Sequence, residues 1–109
     1  MSRRYLLLRV ICERPVSSEQ FGTALINSVR RCFGEFGLSR IEPRLIRFNS
    51  EKLEVIVSCK RETMDELQAA IALISDLSGT PIIPLALSVS GTIKGLARRK
   101  RRQGFSSPA

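Results

Sequence analysis

The chain has 109 residues and a formal net charge of +8, from 18 Lys and Arg against 10 Asp and Glu. A hydrophobic content of 43% and a charged content of 26% are typical of one small globular domain and exclude a disordered chain. No apolar run approaches the ~20 residues that cross a bilayer. The apolar run after Arg4 is broken by Arg9, and no small-residue cleavage site follows. We therefore expect a cytoplasmic protein with no membrane partner.

The residues that usually perform catalysis or bind metals are scarce. Histidine is absent, and the cysteines Cys12, Cys32 and Cys59 are widely spaced. This inventory does not supply the four ligands of a zinc site, and each cysteine falls on an apolar face, as buried free thiols do. The commonest general base is also missing. We expect no metal site, no cofactor and no catalytic residue on the protein.

The first predicted element is a strand over residues 4–13, in which side chains alternate between two faces. One face holds Leu6, Leu8, Val10 and Cys12, and the other holds Tyr5, Leu7, Arg9 and Ile11. The second face is also mostly apolar. It is therefore not expected to be ordinary solvent-facing surface.

A helix is predicted next, opened by a capping box in which Ser17 is followed three residues later by Gln20. Its inner stripe at helical spacing comprises Phe21, Ala24, Leu25, Ser28, Val29, Cys32 and Phe36. We expect Phe21 and Phe36 in the core. The helix should end between Gly34 and Gly37.

Two strands, residues 45–48 and 53–59, are predicted to form a hairpin around the turn 49–52. Thr63 and Glu66 indicate a second capping box and a second helix, which should stop at Gly79. The inner stripe of this helix comprises Met64, Leu67, Ala70, Ile71 and Ile74. Leu73 and Leu77 widen the stripe beyond what a core contact needs.

The last strand is predicted over residues 85–90, and Pro84, which has no backbone donor, should make it start late or lie on an edge. The order β-α-β-β-α-β is that of an α+β, ferredoxin-like fold, an antiparallel sheet with two helices on one face. A short basic C-terminal helix over about 91–103 completes a single domain, 1–103. Residues 104–109 are expected to be a disordered tail.

The charge is concentrated at the C-terminal end, where six of the 18 Lys and Arg lie between Lys94 and Arg102. Ser90, Gly91 and Thr92 should turn the chain and cap the basic helix. On that helix Lys94, Arg98, Arg101 and Arg102 form a ridge at helical spacing. Such a block favours a polyanion over a solvated tail, because unpaired cations repel one another. The predicted RNA-binding residues are Lys94, Arg98, Arg99, Lys100, Arg101, Arg102, Arg3 and Arg4.

A second surface is predicted from surplus apolar side chains, because a small monomer seldom exposes many of them together. The residues expected to contact a protein partner are Leu73, Leu77, Leu7, Ile11 and Ile56.

Several segments resemble a known family. They are Arg4-Tyr5-Leu6-Leu7-Leu8-Arg9-Val10, Pro43-Arg44-Leu45-Ile46-Arg47-Phe48, Ala72-Leu73-Ile74-Ser75-Asp76-Leu77-Ser78-Gly79 and, most specifically, Val89-Ser90-Gly91-Thr92-Ile93-Lys94. Together, from about residue 4 to residue 102, they are similar to archaeal ribonuclease P protein component 2 and to the small subunit shared by eukaryotic ribonuclease P and ribonuclease MRP.

The resemblance implies a non-catalytic subunit of an RNA-based enzyme that removes 5′ leaders from precursor tRNA. The RNA and its magnesium ions would perform the hydrolysis. The implied partners are the ribonuclease P RNA and a barrel-type protein subunit, component 3, with self-association in a two-plus-two heterotetramer and precursor tRNA nearby.

Two alternatives remain open at the level of sequence. One is a general RNA chaperone or ribosome-associated domain of the same fold. The other is a small acylphosphatase-like enzyme, which would need a glycine-rich anion-holding loop after the first strand. Residues 14–17, Arg-Pro-Val-Ser, do not provide such a loop.

Overall fold

The computed structural model describes residues 2–102, and the side chains of residues 2–98. Its strands are β1 (Arg3–Cys12), β2 (Arg44–Asn49), β3 (Glu54–Lys60), β4 (Asp76–Leu77) and β5 (Thr80–Ser90). Its helices are α1 (Ser18–Ile41), α2 (Met64–Ala72) and α3 (Ile93–Arg102), with a 3-10 turn at Arg61–Thr63 before α2. The strand order is β2-β3-β1-β5-β4, and every pairing is antiparallel. The predicted ferredoxin-like arrangement is confirmed, with the two-residue β4 as an addition.

The central strand β1 supplies both faces of the sheet. Leu6, Leu8 and Val10 are buried in the main core with the inward side chains of α1 and α2. The alternate residue Leu7 belongs to a second, smaller cluster with Ile56 and Leu96 of α3. Because neighbouring strand residues point to opposite faces, α1 and α2 cover one face and α3 covers part of the other.

Helix α1 begins where the sequence predicts but continues beyond its predicted end between Gly34 and Gly37. The side chain of Ser17 accepts a hydrogen bond from the amide of Gln20, whose side chain accepts one from the amide of Ser17. At Gly34 the backbone has φ 71° and ψ −175°, which interrupts the helix, and a second helical segment continues to Ile41. Only glycine adopts such a conformation readily. The break shifts the helical phase, so Phe36 is 93% exposed and the expectation that it lies in the core is wrong.

Helix α2 has the predicted inner stripe and begins directly after Thr63, as expected, but it lacks the predicted capping box and ends earlier than predicted. The hydroxyl of Thr63 donates to the carbonyl of Lys60 instead of capping the helix, so the second capping box does not form. The helix ends at Ala72, well before Gly79. Gly79, with φ 88°, belongs instead to the turn between β4 and β5, where its amide donates to the Asp76 carboxylate.

Strand β5 is longer than predicted, because it starts at Thr80 and pairs with β1 from Ile82 onward. The short β4 pairs only with Pro81 and Thr80, so Pro84 faces an edge without a paired strand in the described chain. Of the two alternatives expected from Pro84, a late start or an edge position, the edge position is confirmed. The register shifts between Leu7, which pairs with Ser88, and Leu8, which pairs with Ala86, so Leu87 is an extra residue in β5.

We expect replacement of Glu66 by glutamine to lower stability slightly at neutral pH and to have no effect in acid. Arg40 on α1 donates to the Glu66 carboxylate on α2 at 2.8 Å, and this hydrogen bond holds the pKa of Glu66 below its ordinary value. A carboxyl group whose pKa is lower in the folded state than in the unfolded state stabilises the fold at pH values above the unfolded-state pKa. That stabilisation is lost as the pH falls through the folded-state pKa. Because the pair is exposed, the effect should be small and weakened by salt.

Urea denaturation of the wild type and Glu66→Gln at neutral and acidic pH measures the difference. Lys52→Gln, which changes an exposed turn side chain, is the control. A stability difference between wild type and Glu66→Gln that persists unchanged in acid would contradict this account.

Candidate nucleic-acid interface

The turn between β5 and α3 is held by its own side chains. The amide of Gly95 donates to Thr92 Oγ1 at 2.9 Å, and the amide of Thr92 donates to Ser90 Oγ at 3.3 Å. These bonds satisfy amides that the start of a helix leaves without intrahelical partners. The helix-capping role predicted for Ser90 and Thr92 is thus present, while Gly91 lies exposed between them.

Helix α3 is attached to the outer face of the sheet by two close contacts. Leu96 is 1% exposed and packs with Leu7 and Ile56, with Ile93 at the margin of the same cluster. The second contact is between the helix backbone at Gly95 and the side chain of Ser90. A β-carbon at Gly95 would lie 2.1 Å from Ser90 Oγ, so a residue larger than glycine would clash there. The basic segment is therefore a docked helix where the structure describes its side chains.

This docking changes the predicted protein-partner surface. Leu7 and Ile56 are covered by the chain's own α3, and Leu77 is buried in the main core. None of the three is exposed surface, because each is already packed inside the protein. Ile11 and Leu73, by contrast, are 48% and 65% exposed.

The predicted RNA-binding cations do not form one group. Lys94 and Arg98 are exposed on α3, one helical turn apart. Arg99, Lys100, Arg101 and Arg102 continue the backbone of α3, and their side chains lie outside the described residues.

The two N-terminal arginines lie elsewhere. The guanidinium of Arg3 donates to the carbonyl of Glu42 at 2.6 Å and to Ser58 Oγ at 2.9 Å, and forms an ion pair with the Glu42 carboxylate. Arg3 is therefore engaged in joining β1 to the end of α1. Arg4 points to the helix-covered side of the sheet, where it lines a hollow with Arg61 and Met64.

A groove of about 260 Å³ runs between α3 and the β2–β3 hairpin. It is lined by Leu7, Arg47, Asn49, Lys52, Glu54, Ile56, Ile93, Leu96 and Ala97. Arg47 and Lys52 are both exposed cations, and neither was selected from the sequence. The acidic residue of the lining, Glu54, forms an ion pair with Arg9 at 2.8 Å. The groove therefore has a net positive lining.

A bulge in β2 directs Arg47 into this groove. Leu45 pairs with Val57 and Arg47 pairs with Ile56, so Ile46 is an extra residue in the strand. Strict alternation would place Arg47 on the same face as Leu45, towards the main core. The extra residue turns Arg47 to the face covered by α3, as bulges commonly do at functional edges. Sequence alternation alone could not have revealed this.

The described residues contain no group of three or more Cys, Asp or Glu side chains placed to hold a metal ion. All three cysteines are free thiols: Cys59 is buried, and Cys12 and Cys32 are half-buried against the core. Burial raises the pKa of the Cys59 thiol, which keeps it protonated and unreactive at neutral pH. Across the described chain, no helix is both long and apolar enough to span a membrane.

The fold and this surface define a class: a small ferredoxin-like α+β protein whose outer sheet face carries a docked cationic helix. The chain belongs to the Rpp14/Pop5 family, whose model matches residues 4–100. The family resemblance inferred from the sequence motifs is thereby confirmed.

Individual relatives agree with this assignment. The chain is 37% identical over 98 residues to ribonuclease P protein component 2 of Archaeoglobus fulgidus, a match that covers 89% of this chain and 86% of that protein. It is 33% identical over 97 residues to the protein of the same name from Pyrococcus furiosus, covering 89% and 81%. A chain in the cryo-EM structure of yeast ribonuclease MRP has the same fold, with a TM-score of 0.67, 13% identity, and coverage of 97% and 96%.

Proposed function

We propose that this protein is a non-catalytic subunit of ribonuclease P that binds the enzyme's RNA and stabilises its catalytic domain for removal of 5′ leaders from precursor tRNA. The observation that carries the proposal is α3, which presents the exposed cations Lys94 and Arg98 on a helix fixed by buried Leu96. Membership of the Rpp14/Pop5 family and similarity to archaeal proteins named ribonuclease P protein component 2 support it.

The chemistry of the surface suits positioning of RNA. Lysine and arginine bind phosphate oxygens through charge and charge-assisted hydrogen bonds, and such contacts set the register of a complex without reading the base sequence. Docking fixes these cations relative to the sheet before RNA arrives, so less conformational entropy is lost on binding. The RNA and its magnesium ions would supply the hydrolytic chemistry.

The proposal includes a protein partner of the barrel type, component 3, in a two-plus-two assembly. The exposed Ile11 and Leu73 are the residues of the predicted apolar surface that remain available for such contacts. Both side chains are apolar and solvent-exposed, and burial against a partner protein would remove that apolar surface from water.

Replacing Lys94 and Arg98 together with glutamine is expected to weaken binding to the catalytic domain of ribonuclease P RNA and to slow leader removal in a reconstituted enzyme. Two lost phosphate contacts should reduce the slope of log affinity against log salt by roughly 1.4–1.8 units. Affinity is measured across a salt titration, and processing by the yield of mature 5′ ends.

The matched control is Arg14→Gln with Arg31→Gln, which removes two charges from exposed positions away from α3. Equal losses of RNA affinity for both pairs would mean that only the total charge matters, and would contradict an organised surface.

RNA-free protein is assayed in parallel, and magnesium-dependent cleavage of precursor tRNA by that sample would overturn the non-catalytic assignment. A preference for an unrelated structured RNA over ribonuclease P RNA would instead indicate a general RNA chaperone.

A further inference from the structure

The groove between α3 and the β2–β3 hairpin combines features that the α3 cations alone do not have. Its floor is apolar, formed by side chains of the second cluster such as Leu96 and Ile56. One wall carries the exposed cations Arg47 and Lys52. An apolar floor beside a cationic wall suits a ligand with an apolar body and an anionic edge.

The hairpin wall is built to hold its cations in place. Asn49 Oδ1 accepts hydrogen bonds from the amides of Glu51 and Lys52, at 3.0 and 3.1 Å, which orders the turn. The bulge at Ile46 aims Arg47 at the same groove. A bulge disrupts the hydrogen-bonded ladder locally, so its presence beside two cations and a groove indicates a use for the redirected side chain.

The opposite wall is the side of α3 that carries Ile93 and Ala97. Each helical residue advances by about 100° around the axis, so Lys94 lies about 60° beyond Ala97, on the side away from Leu96. Lys94 is exposed and is not among the lining residues, so it lies on the solvent side of this wall, while Arg47 and Lys52 line the opposite wall.

Electrostatics favour an anion in this position. Glu54 is the acidic side chain of the lining, and its carboxylate is paired with Arg9 at 2.8 Å. One carboxylate cannot neutralise the three cations Arg47, Lys52 and Lys94. A polyanion that lies between the walls would relieve the repulsion among these three cations.

We infer that the sugar-phosphate backbone of one RNA strand lies in this groove, with phosphates contacted by Arg47 and Lys52 on the hairpin and by Lys94 on α3. The apolar wall at Ile93 and Ala97 faces the sugars. This assignment rests on the proposed RNA-binding function and extends it, because it makes the β2–β3 hairpin the second wall of the interface. The contacts are to the backbone, so they position the RNA without selecting its sequence.

The test is Arg47→Gln with Lys52→Gln, which removes both charges and retains part of each side-chain stem. Binding of the catalytic domain of ribonuclease P RNA is measured across a salt titration for wild type, this hairpin pair, the α3 pair Lys94→Gln with Arg98→Gln, and the control pair Arg14→Gln with Arg31→Gln. The hairpin pair is expected to lose roughly 1.4–1.8 units of salt slope, as expected for two phosphate contacts. The control pair is expected to keep the wild-type slope.

The outcomes separate this inference from the proposed function. Absence of RNA binding by the wild type would refute the proposed function itself. Wild-type binding that is weakened by the α3 pair but not by the hairpin pair would overturn the groove assignment and leave the proposed function standing. Weakened binding of the component 3 protein by the hairpin pair, with an unchanged RNA slope, would show that the groove holds protein instead and would also overturn it.

Circular dichroism checks that the hairpin pair is folded. The single variant Lys52→Gln provides a second measurement of the salt slope, because Lys52 lies in an exposed turn where the substitution should not disturb folding. It should lose roughly 0.7–0.9 units of slope, and no loss in this folded variant would contradict a phosphate contact there.

Discussion

Replacing Leu96 with alanine is expected to lower the free energy of unfolding by about 2–5 kcal/mol, the range for truncation of a buried leucine. Leu96 is buried against Leu7 and Ile56 and joins α3 to the outer face of the sheet. Truncation removes apolar contacts and leaves a cavity that the short helix can fill only by shifting. Chemical denaturation measures the loss, and increased binding of a hydrophobic dye would report exposure of Leu7 and Ile56.

Leu73→Ala is the matched control, because it makes the same chemical change at an exposed position on the opposite side of the sheet. Its effect should stay within about 0.5 kcal/mol. Similar small losses for both variants would mean that α3 is not held by Leu96 in solution. Because α3 carries Lys94 and Arg98, Leu96→Ala should also weaken RNA binding although it removes no charge.

Gly95→Ala is expected to destabilise the protein by about 1–3 kcal/mol, the cost typical of overpacking. Alanine ordinarily stabilises a helix by about 1 kcal/mol relative to glycine, so the sign of the effect is informative. Here an added β-carbon would lie 2.1 Å from Ser90 Oγ and 3.2 Å from Ser90 Cβ. Rotation of the serine hydroxyl cannot relieve the second contact, so the start of α3 must move away from β5.

Gly91→Ala is the control for this variant, since its β-carbon would meet no atom within 4 Å. It should leave the free energy of unfolding nearly unchanged or raise it slightly by restricting the unfolded chain. The double variant Ser90→Gly with Gly95→Ala should recover part of the stability lost in Gly95→Ala, because both serine contacts are removed. A Gly95→Ala protein as stable as wild type would show that α3 does not approach Ser90 as described.

Both substitutions concern the way in which α3 is positioned, and that positioning is central to the proposed function. Lys94 and Arg98 would bind phosphates even on a free tail, but with a greater entropy loss. Docking also creates the groove, because its two walls face each other only when α3 lies on the sheet. Stability at the small second cluster and RNA affinity are therefore expected to change together.

Much of the fold could be predicted from local patterns. The alternation around Leu6 and Leu8 identified β1 and its core face, and the pair Ser17 and Gln20 identified the start of α1. These predictions succeeded because strand alternation and helix capping depend on residues close together in the chain. The second capping box, at Thr63, failed because its hydroxyl bonds to a carbonyl outside the helix.

Apart from the short β4, the sequence by itself determined the order of the elements, and it also determined the family and the concentration of positive charge after Ser90. Tertiary structure alone decided which apolar residues stay exposed, because α3 covers Leu7 and Ile56 while the break at Gly34 turns Phe36 outward. It also decided which cations share a surface. Arg3 is held by Glu42, whereas the bulge brings Arg47 to the groove beside α3. Such outcomes depend on contacts between residues distant in the chain, which local periodicity does not encode.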